Sequence, residues 1–256
     1  MIAHSKPVIR SSGLSKIGSS RKKNEDFWGE LPKYNFYALA DGMGGHKSGE
    51  IASKEAVHSL LEIINDSMSS YAEKIHREDA KIFLRSVIRQ VNEEIHQKSL
   101  ENEKTRGMGT TLCCIHFMKE PFVVYAHVGD SRIYRLRNKE LEQLTEDHSI
   151  LSEIVGLGDL DSEEQEGCSF KHLITKAIGL YDTVDPEAEC SEREQDDIYI
   201  MCSDGLSDHV SKMEIQEIIN LSESLEEAAK ILIETAKCKG GQDDITVVLM
   251  KVEENN

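Results

Sequence analysis

The chain has 256 residues, 39% hydrophobic and 30% charged, enough for a packed core in one large domain or two small ones. Lys and Arg number 30 against 47 Asp and Glu, a formal net charge of −17 at pH 7, which disfavours sequence-independent nucleic-acid binding and is repelled by an anionic membrane. The first ten residues lack the apolar run of a signal peptide, no stretch approaches transmembrane length, and the six cysteines show no CxxC or Cys/His metal spacing, so the expectation is a soluble cytoplasmic protein with reduced thiols.

Residues 8–16 read as an edge strand, and 35–40 as a buried strand running into Asp41. Residues 48–65 place Ile51, Ala52, Ala56, Val57, Leu60, Leu61 and Ile64 at helical spacing, and 79–97 repeat it with Ala80, Phe83, Leu84, Val87, Ile88, Val91 and Ile95. A polar connection is expected at 66–77. A run of strands follows at 110–118, 122–128 and 132–136, with a short piece near Leu141; Lys119, Glu120 and Pro121 mark a hairpin. Cys113 and Cys114, adjacent in an alternating strand, are expected to face opposite ways. Residues 145–172 are acidic and glycine-punctuated, predicting a flap beside the site with a short helix at 149–155. Strands near 185–190 and at 198–202 precede two helices, 211–220 and 224–237. Each helix opens on a capping-box pattern, Ser211…Glu214 and Ser224…Glu227. A last strand covers 245–252. Strands cluster rather than alternating with helices, so the class is α+β with mainly antiparallel sheets.

Short motifs beside turn-forming residues carry the chemistry: Arg21-Lys-Lys-Asn-Glu25-Asp26, Asp41-Gly-Met-Gly-Gly-His46, Gly129-Asp130-Ser-Arg132, Ser203-Asp204-Gly-Leu-Ser-Asp208 and Gly240-Gly-Gln-Asp243-Asp244. Taken singly, each is ordinary turn chemistry. Brought together they make a pocket of carboxylate oxygens that no apolar core would hold without cations. Oxygen ligands without paired Cys or His select Mg²⁺ or Mn²⁺ over Zn²⁺. No EF-hand loop is present, which disfavours a calcium sensor.

In this order, and with Gly107-Met-Gly-Thr-Thr, His127-Val-Gly-Asp-Ser-Arg and Leu144-Thr-Glu-Asp-His-Ser, the motifs resemble those of the metal-dependent serine/threonine phosphatases of the protein phosphatase 2C family, in its compact bacterial form. The resemblance runs from about residue 13 to 252. It implies one catalytic domain over 1–256, folded as a four-layer αββα sandwich of two central, mainly antiparallel sheets, with the flap at about 145–172. It implies hydrolysis of phosphoserine and phosphothreonine at a centre of two Mg²⁺ or Mn²⁺ ions, with a third-ion site in bacterial members.

By the same resemblance, Asp41 bridges the paired ions. The Gly42 carbonyl, Glu25, Asp204 and Asp243 complete their ligands, and Asp130 and Asp208 join Asp204 at the third ion. Asp26 orients the attacking water and Arg21 binds the substrate phosphate. Met43 stands where animal relatives carry a histidine after Asp-Gly, so His46 and a metal-bound water both stay open as the leaving-group acid. Asp244 stands where many relatives have Asn and is left the role of bracing its turn. His127 reads as a satisfied core histidine, and His148 as a support for the base of the flap. The implied partners are phosphorylated protein substrates of a serine/threonine kinase, met by a monomer, and the acidic charge leaves out nucleic acid and membrane. The alternative reading is a catalytically inactive phosphoprotein-binding module of the same fold.

Overall fold

The structure, a computed structural model, describes residues 6–43, 48–71, 76–150, 152 and 173–253. Strand β3 (Phe36–Met43) shows how the layers arise. Its residues alternate: Phe36, Ala38 and Ala40 face one apolar cluster, and Tyr37 and Leu39 face another. A strand buried on both faces reads as a continuous apolar run, so it must sit between two layers.

Strand β3 lies between β2 (Asp26–Leu31) and β5 (Leu112–Phe117). The sheet continues through β6 (Phe122–Val128) to β9 (Glu187–Glu192), and the short β4 (Gly109–Thr110) pairs with β3. The second sheet runs in the order β1 (Val8–Lys16), β11 (Ile245–Glu253), β10 (Ile198–Cys202), β7 (Arg132–Arg137), β8 (Glu140–Gln143). Every pairing is antiparallel.

Three apolar clusters separate four layers. Between the sheets, Tyr37, Cys113, Ile115 and Val123 meet Tyr199, Met201, Val248 and Met250. Outside the first sheet, Ala40, Cys114 and Val124 meet α1 (Gly49–Tyr71) and α2 (Arg77–Glu101) through Leu60, Ile64, Leu84 and Ile88. Outside the second, Ile200, Cys202, Val247 and Leu249 meet α4 (Lys212–Leu221) and α5 (Leu225–Cys238) through Ile215, Ala229 and Leu232. A single turn, α3 (Asp204–Ser207), follows β10. The fold is therefore the expected α+β sandwich of helices on two antiparallel sheets, and Cys113 and Cys114 do face opposite layers. No helix among the described residues is long and apolar enough to cross a membrane.

Three local expectations need correction. Strand β2 was not anticipated, because Asp26-Phe-Trp-Gly-Glu-Leu lacks alternation; Trp28 packs into the inter-sheet cluster while Phe27 faces the helices. Helix α1 runs on to Tyr71 through a stretch expected to be loop, and buried Met68 explains the extra turn. Only α4 has the reciprocal capping box. At α5, Ser224 accepts from the Glu227 N–H at 3.1 Å, but the Glu227 carboxylate accepts from Glu223, one residue earlier than the box requires. The expected helix at 149–155 lies almost wholly outside the described residues.

His116 on β5 supplies a pH test of this core. It is buried, its ring tilts against Phe36 at 5.6 Å, and burial pushes its pKa down to about 4. The unfolded chain takes up that proton near pH 6.5 and the folded chain only near 4. The unfolded state thus binds more protons in this window, and stability is lost as pH falls through it. The full effect is about 3 kcal/mol at about 1.4 kcal/mol per pH unit. Urea melts of a His116→Gln variant should lose stability less steeply than wild type between pH 6.5 and 4; parallel slopes would show that His116 does not contribute.

Candidate metal centre

Antiparallel pairing brings strand ends together. Asp26, the first residue of β2, lies directly opposite Asp41 of β3. In the other sheet, Cys202 at the end of β10 pairs with Arg132 and Val247. Asp204 just after β10, Asp130 just before β7 and Asp243 just before β11 therefore share one end of that sheet. A hydrogen bond across the sandwich joins the two groups: the Ser203 hydroxyl donates to Asp26 Oδ2 at 2.7 Å. Ser203 is itself fixed by the Thr246 N–H at 3.0 Å.

The remaining acids are held by backbone. Asp244 is buried and ties its own turn to two distant amides, its Oδ1 accepting from the Gly18 N–H at 2.8 Å and its Oδ2 from the Glu25 N–H at 2.7 Å. Its neighbour Asp243 faces Arg21, whose Nε and Nη2 donate to Oδ1 at 2.8 Å and Oδ2 at 2.6 Å, while Nη1 donates to Glu25 Oε2 at 3.1 Å. Gly42 donates to the Glu25 carbonyl at 3.0 Å. A Cβ at Gly42 would stand 2.2 Å from the Gly49 carbonyl oxygen, so only glycine lets these backbones meet. Asp41 is pinned by its own backbone: its N–H donates to Thr111 Oγ1 at 2.9 Å, and its carbonyl accepts from Thr110 Oγ1 and the Thr111 N–H, both at 2.8 Å.

The electrostatics are those of like charges forced together. Burial, then the neighbouring Asp26, Asp204, Asp130 and Asp243, hold the Asp41 carboxyl well above the usual carboxylate range. Burial pushes Asp26 up to about 7, with Asp244 and Asp204 adding to it against hydrogen bonds from Thr246 and Ser203. Asp130 also rises to about 7, by burial and the charges of Asp204, Asp147 and Asp208. Glu25 is raised by burial, partly offset by Arg21. Among the described residues, Asp26 Oδ1 and Asp130 Oδ1 are buried and accept no hydrogen bond. Acceptor oxygens crowded together with too few donors fit a hard divalent cation.

Glu25, Asp204, Asp208 and Asp243 line a cleft of about 1280 Å³ together with Arg21, Lys22 and Lys104. Of the residues singled out from sequence, Arg21, Glu25, Asp26, Asp41, Gly42, Asp130, Asp204, Asp208 and Asp243 fall in this one region; His46 lies outside the described residues. Sequence reasoning gave no role to Ser203, Thr111, Arg132 or Asp147. Each stands inside a quoted motif: Ser203, Arg132 and Asp147 close to a residue that draws attention, and Thr111 at the end of an uncharged motif. Arg132 grips Asp147 with Nε to Oδ1 at 2.9 Å and Nη2 to Oδ2 at 2.6 Å, which ties two of those motifs together.

A sequence profile described as protein phosphatase 2C matches residues 15–244. The chain belongs to the protein phosphatase 2C family. It is 35% identical over 237 residues to the serine/threonine phosphatase stp of Listeria monocytogenes, covering 91% of this chain and 92% of that protein. Its structure superposes on the serine/threonine phosphatase PstP/Ppp of Mycobacterium tuberculosis with a TM-score of 0.85 at 34% identity, covering 96% and 99% of the two chains. A PstP catalytic domain solved in complex with two manganese ions matches with a TM-score of 0.82 at 35% identity, over 96% of this chain and 99% of that one. The chain is thus a protein phosphatase of a metal-dependent type.

Neutralising one of the crowded carboxylates should relieve repulsion in the metal-free protein and remove a cation ligand. In EDTA, Asp41→Asn is expected to melt higher than wild type, by about 2–4 °C per kcal/mol relieved in a chain of this size. Added Mn²⁺ should raise the melting temperature of wild type much more than that of the variant. A variant that melts lower in EDTA, or gains as much from Mn²⁺, would contradict this account of the site.

Proposed function

We propose that this chain hydrolyses phosphoserine and phosphothreonine monoesters on proteins at a centre of two Mg²⁺ or Mn²⁺ ions, within one catalytic domain. The observation that carries the reading is the convergence of Asp26, Asp41 and Asp130, all with raised pKa values, with Asp204 at the same strand ends, beside a cleft lined by Arg21; Asp26 and Asp130 each keep a buried oxygen that accepts no hydrogen bond from the described residues. Asp41, Glu25, Asp204, Asp243 and the Gly42 carbonyl would hold the paired ions, and Asp130 and Asp208, with Asp204, a third. Bound there, such ions supply an acidified water as nucleophile and neutralise the charge of the phosphoryl group.

The side chains do the rest. Asp26, with Oδ2 fixed by Ser203, leaves Oδ1 to accept a proton from the attacking water and set its direction. Arg21 presents a planar fork matched to two phosphate oxygens. That fork now rests on Asp243 and Glu25 at the cleft, so binding substrate exchanges carboxylate oxygens for phosphate oxygens without moving the arginine far. His46 is one candidate donor to the leaving serine or threonine oxygen, and a water held at the centre would be the other. Substrates are products of a serine/threonine kinase, met by a monomeric, cytoplasmic enzyme.

The test is release of phosphate from a phosphothreonine peptide in EDTA, Mg²⁺ and Mn²⁺. Activity should require the metal. Loss of a residue one step removed from a metal typically costs about 10–100-fold, so Asp41→Asn should lower kcat/KM by more than about 100-fold. A folded, Mn²⁺-binding wild type that turns over nothing would replace this reading with that of a phosphoprotein-binding module.

A further inference from the structure

The chain around Asp130 is stapled at both ends to one neighbouring segment. On one side, the Arg132 fork holds Asp147. On the other, His148 clasps Gly129 twice: its Nδ1 accepts from the Gly129 N–H at 3.1 Å, and its own N–H donates to the Gly129 carbonyl at 3.0 Å. Gly129 needs that hold. Its φ is +102°, and a Cβ there would stand 2.6 Å from the Thr111 methyl group, so the turn that aims Asp130 exists only in a conformation other residues rarely adopt. The aimed carboxylate keeps a buried oxygen, Oδ1, that accepts no hydrogen bond from the described residues.

His148 is itself oriented. Accepting at Nδ1 makes Nε2 the protonated nitrogen, and Nε2 donates to Glu187 Oε1 on β9 at 2.8 Å; Lys176 donates to the same oxygen at 3.3 Å. The ring stacks on that of His127, with centroids 4.6 Å apart and planes 8° from parallel. His127 in turn donates from Nε2 to the Glu146 carbonyl at 2.7 Å. Burial lowers the pKa of both imidazoles, which keeps His148 neutral and able to accept. His127, His148 and Glu187 lie close enough to suggest a metal site of their own. Three of their four ring nitrogens are committed to the hydrogen bonds just described, so the cluster is an orienting device and not a ligand set.

We propose that His148 is a positioning residue for Asp130: through Gly129 it fixes the carboxylate's approach to a bound cation, and Glu187 on the neighbouring strand fixes His148. The proposal rests on Asp130 being a cation ligand, as the proposed function has it. It does not depend on the turnover of any phosphopeptide.

The test compares two variants of the full chain. Asn can place an acceptor oxygen where Nδ1 stands, so His148→Asn keeps the clasp; His148→Phe keeps the stacked ring and loses the acceptor. Two readouts need no activity: hydrogen exchange of the Gly129 amide in EDTA, and Mn²⁺ binding by calorimetry. H148F should lose amide protection and weaken Mn²⁺ binding by about 10–100-fold, the usual effect of removing a group that orients a metal ligand. H148N should retain the protection and most of the affinity. Wild-type behaviour of H148F overturns the proposal, as does an H148N as impaired as H148F. Should H148F fail to fold, Glu187→Ala at a half-exposed position carries the test, and unchanged exchange and affinity in E187A overturn it. A wild type that binds Mn²⁺ yet hydrolyses no phosphopeptide ends the phosphatase reading and leaves this one intact.

Discussion

Two carboxylates facing each other across neighbouring strands form the constraint on which this molecule is organised. Asp26 and Asp41 are paired by the β2–β3 register, and the other sheet brings Asp204 and Asp130 to the same end. Burial beside like charges is unfavourable to the charged carboxylates and raises the pKa values of Asp26, Asp41 and Asp130. The arrangement persists because register is set elsewhere, by three apolar clusters whose alternating side chains permit no slip. The core thus imposes on the site a geometry that the site would reject alone.

Neutral hydrogen bonds then hold each carboxylate by its neighbours. Ser203 anchors Asp26, Thr110 and Thr111 anchor the backbone of Asp41, Asp244 gathers Gly18 and Glu25, and His148 clasps Gly129. Such contacts fix direction without supplying positive charge, and Arg21 is the cation seen to bridge two of the acids. The carboxylates stay short of compensating charge, which is the condition a hard divalent ion satisfies.

Much of this was legible in the sequence because the signals were local. An apolar run ending in Asp41-Gly reads as a buried strand reaching a turn, and the 3.6-residue spacing of Ala80, Leu84, Val87, Ile88 and Val91 reads as α2. The order of the acidic motifs pointed to the family and to the acids that gather at the candidate site. What escaped was whatever depends on a distant partner. Strand β2 lacks alternation because Trp28 and Phe27 serve different layers. Asp244 looked like a turn residue because the amides it binds belong to Gly18 and Glu25, at the other end of the chain. Ser203 is overshadowed by the charged Asp204 beside it, and Thr111 sits in an uncharged motif with nothing to single it out. In place of the second capping box, the Glu227 carboxylate accepts from the Glu223 N–H.

The same long-range ties bear on how the protein is made. Asp244 bonds to residues 226 and 219 positions earlier, and β11 lies between β1 and β10 in its sheet. On the ribosome, the first strand must wait for the last before it gains a neighbour, and the acidic end of the sandwich cannot assemble until then. A copy cut before β11 loses the strand that joins β1 to β10, and with it the alignment of Asp243 with Asp204 and Asp130 at one end of the sheet.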